Sequence, residues 1–139
     1  MSSLTDILTA LKNGVVAVNG VSSAINTATN NTGTPILLYR GAAPTGSFAT
    51  LYAGSNANAI YVTDIVLCNS DPANAVTAFL CLVPSGGAAN AGNALYYNTS
   101  IPAASTVHWF GSQVLPVNAI IQGYASSAVL GISITGNIA

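Results

Sequence analysis

Val129-Leu-Gly-Ile-Ser-Ile-Thr135 is the stretch whose reading decides the fold. Leu130, Ile132 and Ile134 take one parity and Gly131, Ser133 and Thr135 the other, the period-two pattern of a strand with one buried face. Such a strand needs sheet partners. Reading back towards the N-terminus, residues 36–40, 48–53, 60–69, 76–83, 94–99, 106–110 and 119–125 carry the β-branched and aromatic content of further strands. They are separated by turn chemistry: Ala43-Pro-Thr-Gly46, Gly54-Ser-Asn-Ala-Asn58, Asn69-Ser-Asp-Pro-Ala-Asn74, Pro84-Ser-Gly-Gly87 and Pro102-Ala-Ala-Ser105. No helical period fits between these turns, so the strands pair without crossover helices and therefore antiparallel. Residues 36–139 read as a mainly β domain, an antiparallel two-sheet β-sandwich of jelly-roll type with one core. No internal repeat of solenoid or propeller length is present.

Before residue 30 the period is different. Leu4, Leu8, Leu11, Val15, Val18 and Ile25 follow one another at steps of four and three, with Ser22 taking one place in the series, which is a heptad seam. Ser3-Leu-Thr-Asp6 opens it with the residues of a reciprocal N-terminal cap. A helix over residues 4–26 would be about 35 Å long. Gly14, Gly20 and four valines make it a poor helix alone, so something must hold it. A narrow stripe with almost no charge beside it favours self-association of identical helices, an N-terminal oligomerisation helix; a kinked helix docked on the chain's own sheet is the other arrangement it allows. Residues 27–35, Thr-Ala-Thr-Asn-Asn-Thr-Gly-Thr-Pro, read as a linker.

The 139 residues are 51% hydrophobic and 4% charged, against roughly 25% charged in an average soluble domain. Mean hydropathy is +0.58, and disorder is disfavoured. Two basic and three acidic residues leave a formal charge of −1, without the basic footprint that nucleic-acid binding requires. No apolar run is long enough for a membrane-spanning helix, and Met1-Ser-Ser-Leu-Thr-Asp6 lacks the cationic start of an export signal. A soluble protein made in the cytoplasm is expected, with an amide-, hydroxyl- and methyl-rich surface suited to lying against other protein. Cys68 and Cys81 are too few for a disulfide framework; they read as two buried thiols or, if their strands are neighbours, as a pair.

Groups able to exchange protons are scarce. Asp6 lies in the helical segment, Asp64 in a strand and Asp71 in an Asp-Pro turn, where its carboxylate can accept backbone amides. Asp64 is expected to pair with Arg40 or face solvent. His108 is the lone histidine, and no nucleophile elbow, phosphate-cradling glycine loop or metal-ligand spacing accompanies it. The expectation is no enzyme, no cofactor and no metal. Tyr96, Tyr97, His108, Trp109 and Phe110 lie in two neighbouring candidate strands. Alternation sends Trp109 to the face opposite His108 and Phe110, so part of this group fills the core. Tyr96, Tyr97 and Trp109 are the candidates for a lectin-like face that stacks on a host surface glycan.

Leu8-Thr-Ala-Leu-Lys-Asn-Gly-Val-Val-Ala-Val-Asn-Gly20 resembles the N-terminal helix of tailed-bacteriophage fibre, spike and decoration proteins. Tyr61-Val-Thr-Asp-Ile-Val-Leu-Cys-Asn69, Leu82-Val-Pro-Ser-Gly-Gly87 and Leu95-Tyr-Tyr97 resemble their β-sandwich domain. The resemblance implies a non-enzymatic virion component, usually a homotrimer, assembled in the host bacterial cytoplasm and attached by one end to capsid or tail. Its partners would be copies of itself and other virion proteins.

Overall fold

The computed structural model describes residues 3–29 and 33–139. They divide into a helical unit ending at Gly33 and a strand unit, Thr34–Ala139.

Helix α1, Leu4–Thr29, starts at the expected cap. Ser3 Oγ accepts from the Asp6 amide at 3.2 Å while Asp6 Oδ2 accepts from the Ser3 amide at 3.2 Å, so two donors that helix geometry leaves free are satisfied reciprocally. The helix runs three residues past the expected end at 26, through Thr27-Ala-Thr29, because low propensity in a threonine is no stop signal and the first glycine after Gly20 is Gly33. Part of the expected linker, residues 30–32, lies outside the described residues. Its last two residues, Thr34 and Pro35, open a strand, a place where proline's missing amide is tolerated.

Eight strands follow: β1 Thr34–Ala42, β2 Ala49–Ala53, β3 Ile60–Asn69, β4 Val76–Val83, β5 Ala94–Ile101, β6 Thr106–Leu115, β7 Ile120–Ala125 and β8 Leu130–Ile138. Two four-stranded antiparallel sheets result, ordered β1-β8-β3-β6 and β2-β7-β4-β5. β1 pairs with β8, β2 with β7, β3 with β6 and β4 with β5. The strand unit is thus one long hairpin doubled back between β4 and β5 and then rolled so that alternate pairs enter opposite sheets, which is the jelly-roll arrangement.

β6 and β8 outrun the alternation that marks them in the sequence, and glycines explain both extensions. A Cβ at Gly111 would lie 2.6 Å from Trp109 Cζ2, and one at Gly136 would lie 2.4 Å from the Tyr61 carbonyl oxygen. Each glycine is a close-approach position inside a strand rather than a break. β3 shifts register between Val62 and Asp64, a bulge that moves Asp64, Val66 and Cys68 together to the outer face while Ile65, Leu67 and Asn69 point inward. The one helical turn between strands, a 3₁₀ turn at Ala91–Asn93, is held by Asn90 and Asn93, each side chain accepting from the backbone of the other end of the turn.

The inner faces are aliphatic. Ile65, Leu67, Leu115, Leu130 and Ile134 from one sheet meet Leu80, Ile101 and Ile121 from the other, each at most 1% exposed. Burying side chains of this size contributes about 1.5–3 kcal/mol each. Asn69 is the one buried polar residue of the described core. Its amide nitrogen donates to the carbonyls of Asn74 at 2.9 Å, Ile101 at 3.1 Å and Pro102 at 3.1 Å, and its Oδ1 accepts from the Asp71 amide at 3.0 Å. The Ala104 amide donates to the Asp71 carbonyl at 2.8 Å, fixing Ala104 at φ 52°, a conformation uncommon for alanine. The β3–β4 and β5–β6 turns are thereby clasped at one end of the sandwich.

Asn69→Ala would remove this shared donor from the three carbonyls and the acceptor of the Asp71 amide. We expect a loss of about 2–3 kcal/mol in a urea unfolding titration, with the slope unchanged.

Candidate functional site

The described surfaces that bear on function are the helix seam and the outer faces of the two sheets. On α1, Leu4 is 80% exposed and Ile7 49%, with Leu8, Leu11, Val15 and Val18 between these values. The seam is therefore an uncovered stripe within its own unit. Ile7 widens it on one side, and Gly14, whose Cβ position meets nothing within 4 Å, leaves a notch between Leu11 and Val18. Ile25 lies within the helix, and its side chain falls outside the description.

The aromatic candidates separate. Tyr96 points into the core, where burial pushes its hydroxyl pKa up, and Trp109 packs against the same core. Tyr97, the next residue of β5, is 47% exposed on the other side of its sheet. Tyr96, Tyr97 and Trp109 thus form no common face, because strand alternation divides the tyrosines just as it divides His108 from Trp109. A different aromatic row exists, and sequence reasoning missed it. Phe48, just before β2, meets Tyr124 of β7, Phe79 of β4 and Tyr97 of β5 in one row across the outer face of the second sheet. Phe79 and Tyr124 stack at 4.4 Å and 4°; Phe48 stands edge-on to Tyr124 at 4.9 Å, and Tyr97 edge-on to Phe79 at 5.2 Å. These contacts each contribute about 0.5–1.5 kcal/mol, and the stack takes one face each of Phe79 and Tyr124. The only sequence signal was the outward parity of each residue in its own strand; the register between strands assembles the row.

The outer face of the first sheet collects most of the charge of the strand unit. Asp64 pairs with His108 rather than with Arg40, because the β3–β6 register sets them on adjoining strands. The His108 ring lies against Phe110, centroids 3.7 Å apart, and Phe110 is 71% exposed. Arg40 is exposed on β1, its Nε 3.5 Å from Ser133 Oγ. Cys68 and Cys81 are both free, and the expectation of two buried thiols fails for Cys68, which the bulge in β3 turns outward beside Arg40 and Ser133. Cys81 is buried, with its thiol donating to the Asn90 carbonyl at 3.5 Å; burial outweighs that contact and pushes its pKa up. Asp71 does what its turn suggested. It accepts from the amides of Ala73 at 2.8 Å and Asn74 at 3.0 Å and from the Asn74 side chain, in that order the causes that hold its carboxyl below the ordinary range. Among the described residues no three His, Cys, Asp or Glu side chains come together as a metal site, and no helix is long and apolar enough to cross a membrane.

No protein-family model matches the chain, and no curated protein matches it. Among solved structures it is similar to a chain in the structure of the infectious bursal disease virus Gx strain, with TM-score 0.38, 14% identity and 75% of this chain covered. It is also similar to a chain of the T13 IBDV viral particle, with TM-score 0.40, 10% identity and 77% covered. The match spans 32% of the length of each of those chains.

Two outcomes follow from the geometry. A thiol reagent should modify Cys68 rapidly in the folded protein and reach Cys81 only after denaturant is added, giving one equivalent and then two. Because the Asp71 carboxyl is lowered in the folded state, its contribution is complete above about pH 4, the ordinary aspartate value, and is lost as pH falls through the lower native value. The melting-temperature gap between wild type and Asp71→Ala should accordingly be widest near neutrality and narrow in acid.

Proposed function

We propose that this chain is a non-enzymatic structural component of a tailed-phage virion: a homotrimeric short fibre, spike or capsid decoration protein held to the particle by one end. The observation that carries the reading is the uncovered heptad stripe of α1, in which Leu4, Leu8, Leu11, Val15 and Val18 are exposed along one side of a helix with little intrinsic stability. Identical helices laid seam to seam remove that stripe from water and supply the stabilisation the isolated helix lacks. The number three comes from the resemblance of the helix and the β-domain motifs to phage virion proteins. Joining three strand units through one bundle raises their effective concentration for one another, so weak contacts between them suffice.

The polar groups support a structural role as well. Asp6 caps α1, Asp71 fixes a turn, and Asp64 is engaged by His108. A near-neutral surface of small polar and methyl groups suits close packing among virion proteins, capsid or tail, where charge repulsion would have to be matched group by group. A glycan-binding role has less behind it, since Tyr96 and Trp109 turn inward, away from Tyr97, and Phe79 and Tyr124 stack on each other.

Leu11→Asp combined with Val15→Asp places carboxylates in the seam of every copy. We expect the mass by light scattering to fall from three chains to one, with the strand circular dichroism unchanged; an unchanged mass would overturn the bundle.

A further inference from the structure

β1 and β6 are the two edges of the first sheet, and among the described residues no strand pairs with their outer sides. An open edge is a row of unpaired amides and carbonyls that templates association unless charge, proline or a covering element blocks it. β6, Thr-Val-His-Trp-Phe-Gly-Ser-Gln-Val-Leu, contains neither lysine nor proline and exposes Phe110 and Val114, at 71% and 51%. β1 exposes Leu37, at 52%, and Arg40, and only Pro35, next to its first residue, lacks an amide to offer.

We infer that β6 of one copy pairs with β1 of the next, so that the first sheets of the trimer join edge to edge in a closed ring. The inference rests on the trimeric reading above and names the surfaces that meet. Direction supports it. β1 is antiparallel to β8, β8 to β3 and β3 to β6, so β6 runs opposite to β1, and copies in a common orientation bring the two edges together antiparallel.

The side chains of the outer face agree with one register. Within the sheet, Leu37, Thr135, Asp64 and Phe110 form one cross-strand row, while Arg40, Ser133, Val66 and His108 form another. Continuing these rows into the neighbour puts its Leu37 beside Phe110, covering the most exposed ring of the unit. The neighbour's Arg40 comes beside His108, within reach of the Asp64 carboxylate. Arg40 and Asp64 are the fixed charges of opposite sign on this face, and each lies towards a different edge, so the complementarity is head to tail. A contact between unlike surfaces closes a ring when the rotation per copy is 120°.

The full-length chain with Cys68→Ser, Leu37→Cys and Phe110→Cys tests the pairing by mild oxidation. Within one copy these positions lie on opposite edges, three interstrand spacings or about 14 Å apart, beyond disulfide reach. A bond between them must join two copies. We expect a ladder on denaturing gels that ends at three chains, and the same ladder from Ala42→Cys with Thr106→Cys, which share the next row of the register. Adding Arg40→Glu should cut the yield about fivefold, the scale of an exposed ion pair, and Arg40→Glu with Asp64→Arg should restore it. Absence of cross-links from both pairs in a protein whose mass is three chains would overturn the edge pairing and leave the helix bundle standing. A mass of one chain before oxidation would overturn both. Cross-linking by Phe110→Cys alone would show β6 meeting its own copy and would also overturn the inference.

Discussion

The contact between two aliphatic sheet faces is the constraint on which the strand unit depends. Neither sheet has an independent reason to exist. Each buries Ile, Leu and Val only because the other covers them. Asn69 shows how the same layer tolerates a polar group. Set at the end of β3, it exchanges its lost hydration for bonds to carbonyls of two turns and to the Asp71 amide. The apolar layer holds the sheets together, and this clasp fixes which turns lie side by side at its end.

With so few charges, the chain places its ionisable groups where they organise backbone or surface. Asp6 answers the free amides of a helix start, and Asp71 answers those of a turn. Asp64 and His108 engage each other across β3 and β6, beside an exposed phenylalanine. Much of the remaining surface is amide, hydroxyl and small apolar groups, which neither repel a second copy nor demand ionic matching from it. Such a surface relies on shape and on unpaired edges for specificity, and the open sides of β1 and β6 are edges of that kind.

The helical and strand units solve different problems with the same economy. α1 is held locally by a cap and carries its apolar groups on one stripe, a form that gains most from copies of itself. The strand unit completes its own core and presents polar, aromatic and edge surfaces instead. The proposed assembly would draw association energy from the helix and geometry from the sheets.

Much of this was written in the order of residues. Period-two segments separated by Pro, Gly and Asn turns specified eight strands, including β3 and β4 at their observed limits, because alternation and turn chemistry are local consequences of backbone geometry. The heptad series and the Ser3–Asp6 cap are equally local. What the chain order left undetermined is whatever depends on how strands lie against one another. Gly111 and Gly136 lie just past the expected strand ends, and only the fold sets the Trp109 ring and the Tyr61 carbonyl against them, while the bulge in β3 turns Cys68 outward and Asp64 towards His108. Phe48, Phe79, Tyr97 and Tyr124 became neighbours only through register. Period and turn type are set within a few residues, whereas register is a cooperative outcome of packing both sheets at once, so only the folded chain decides it.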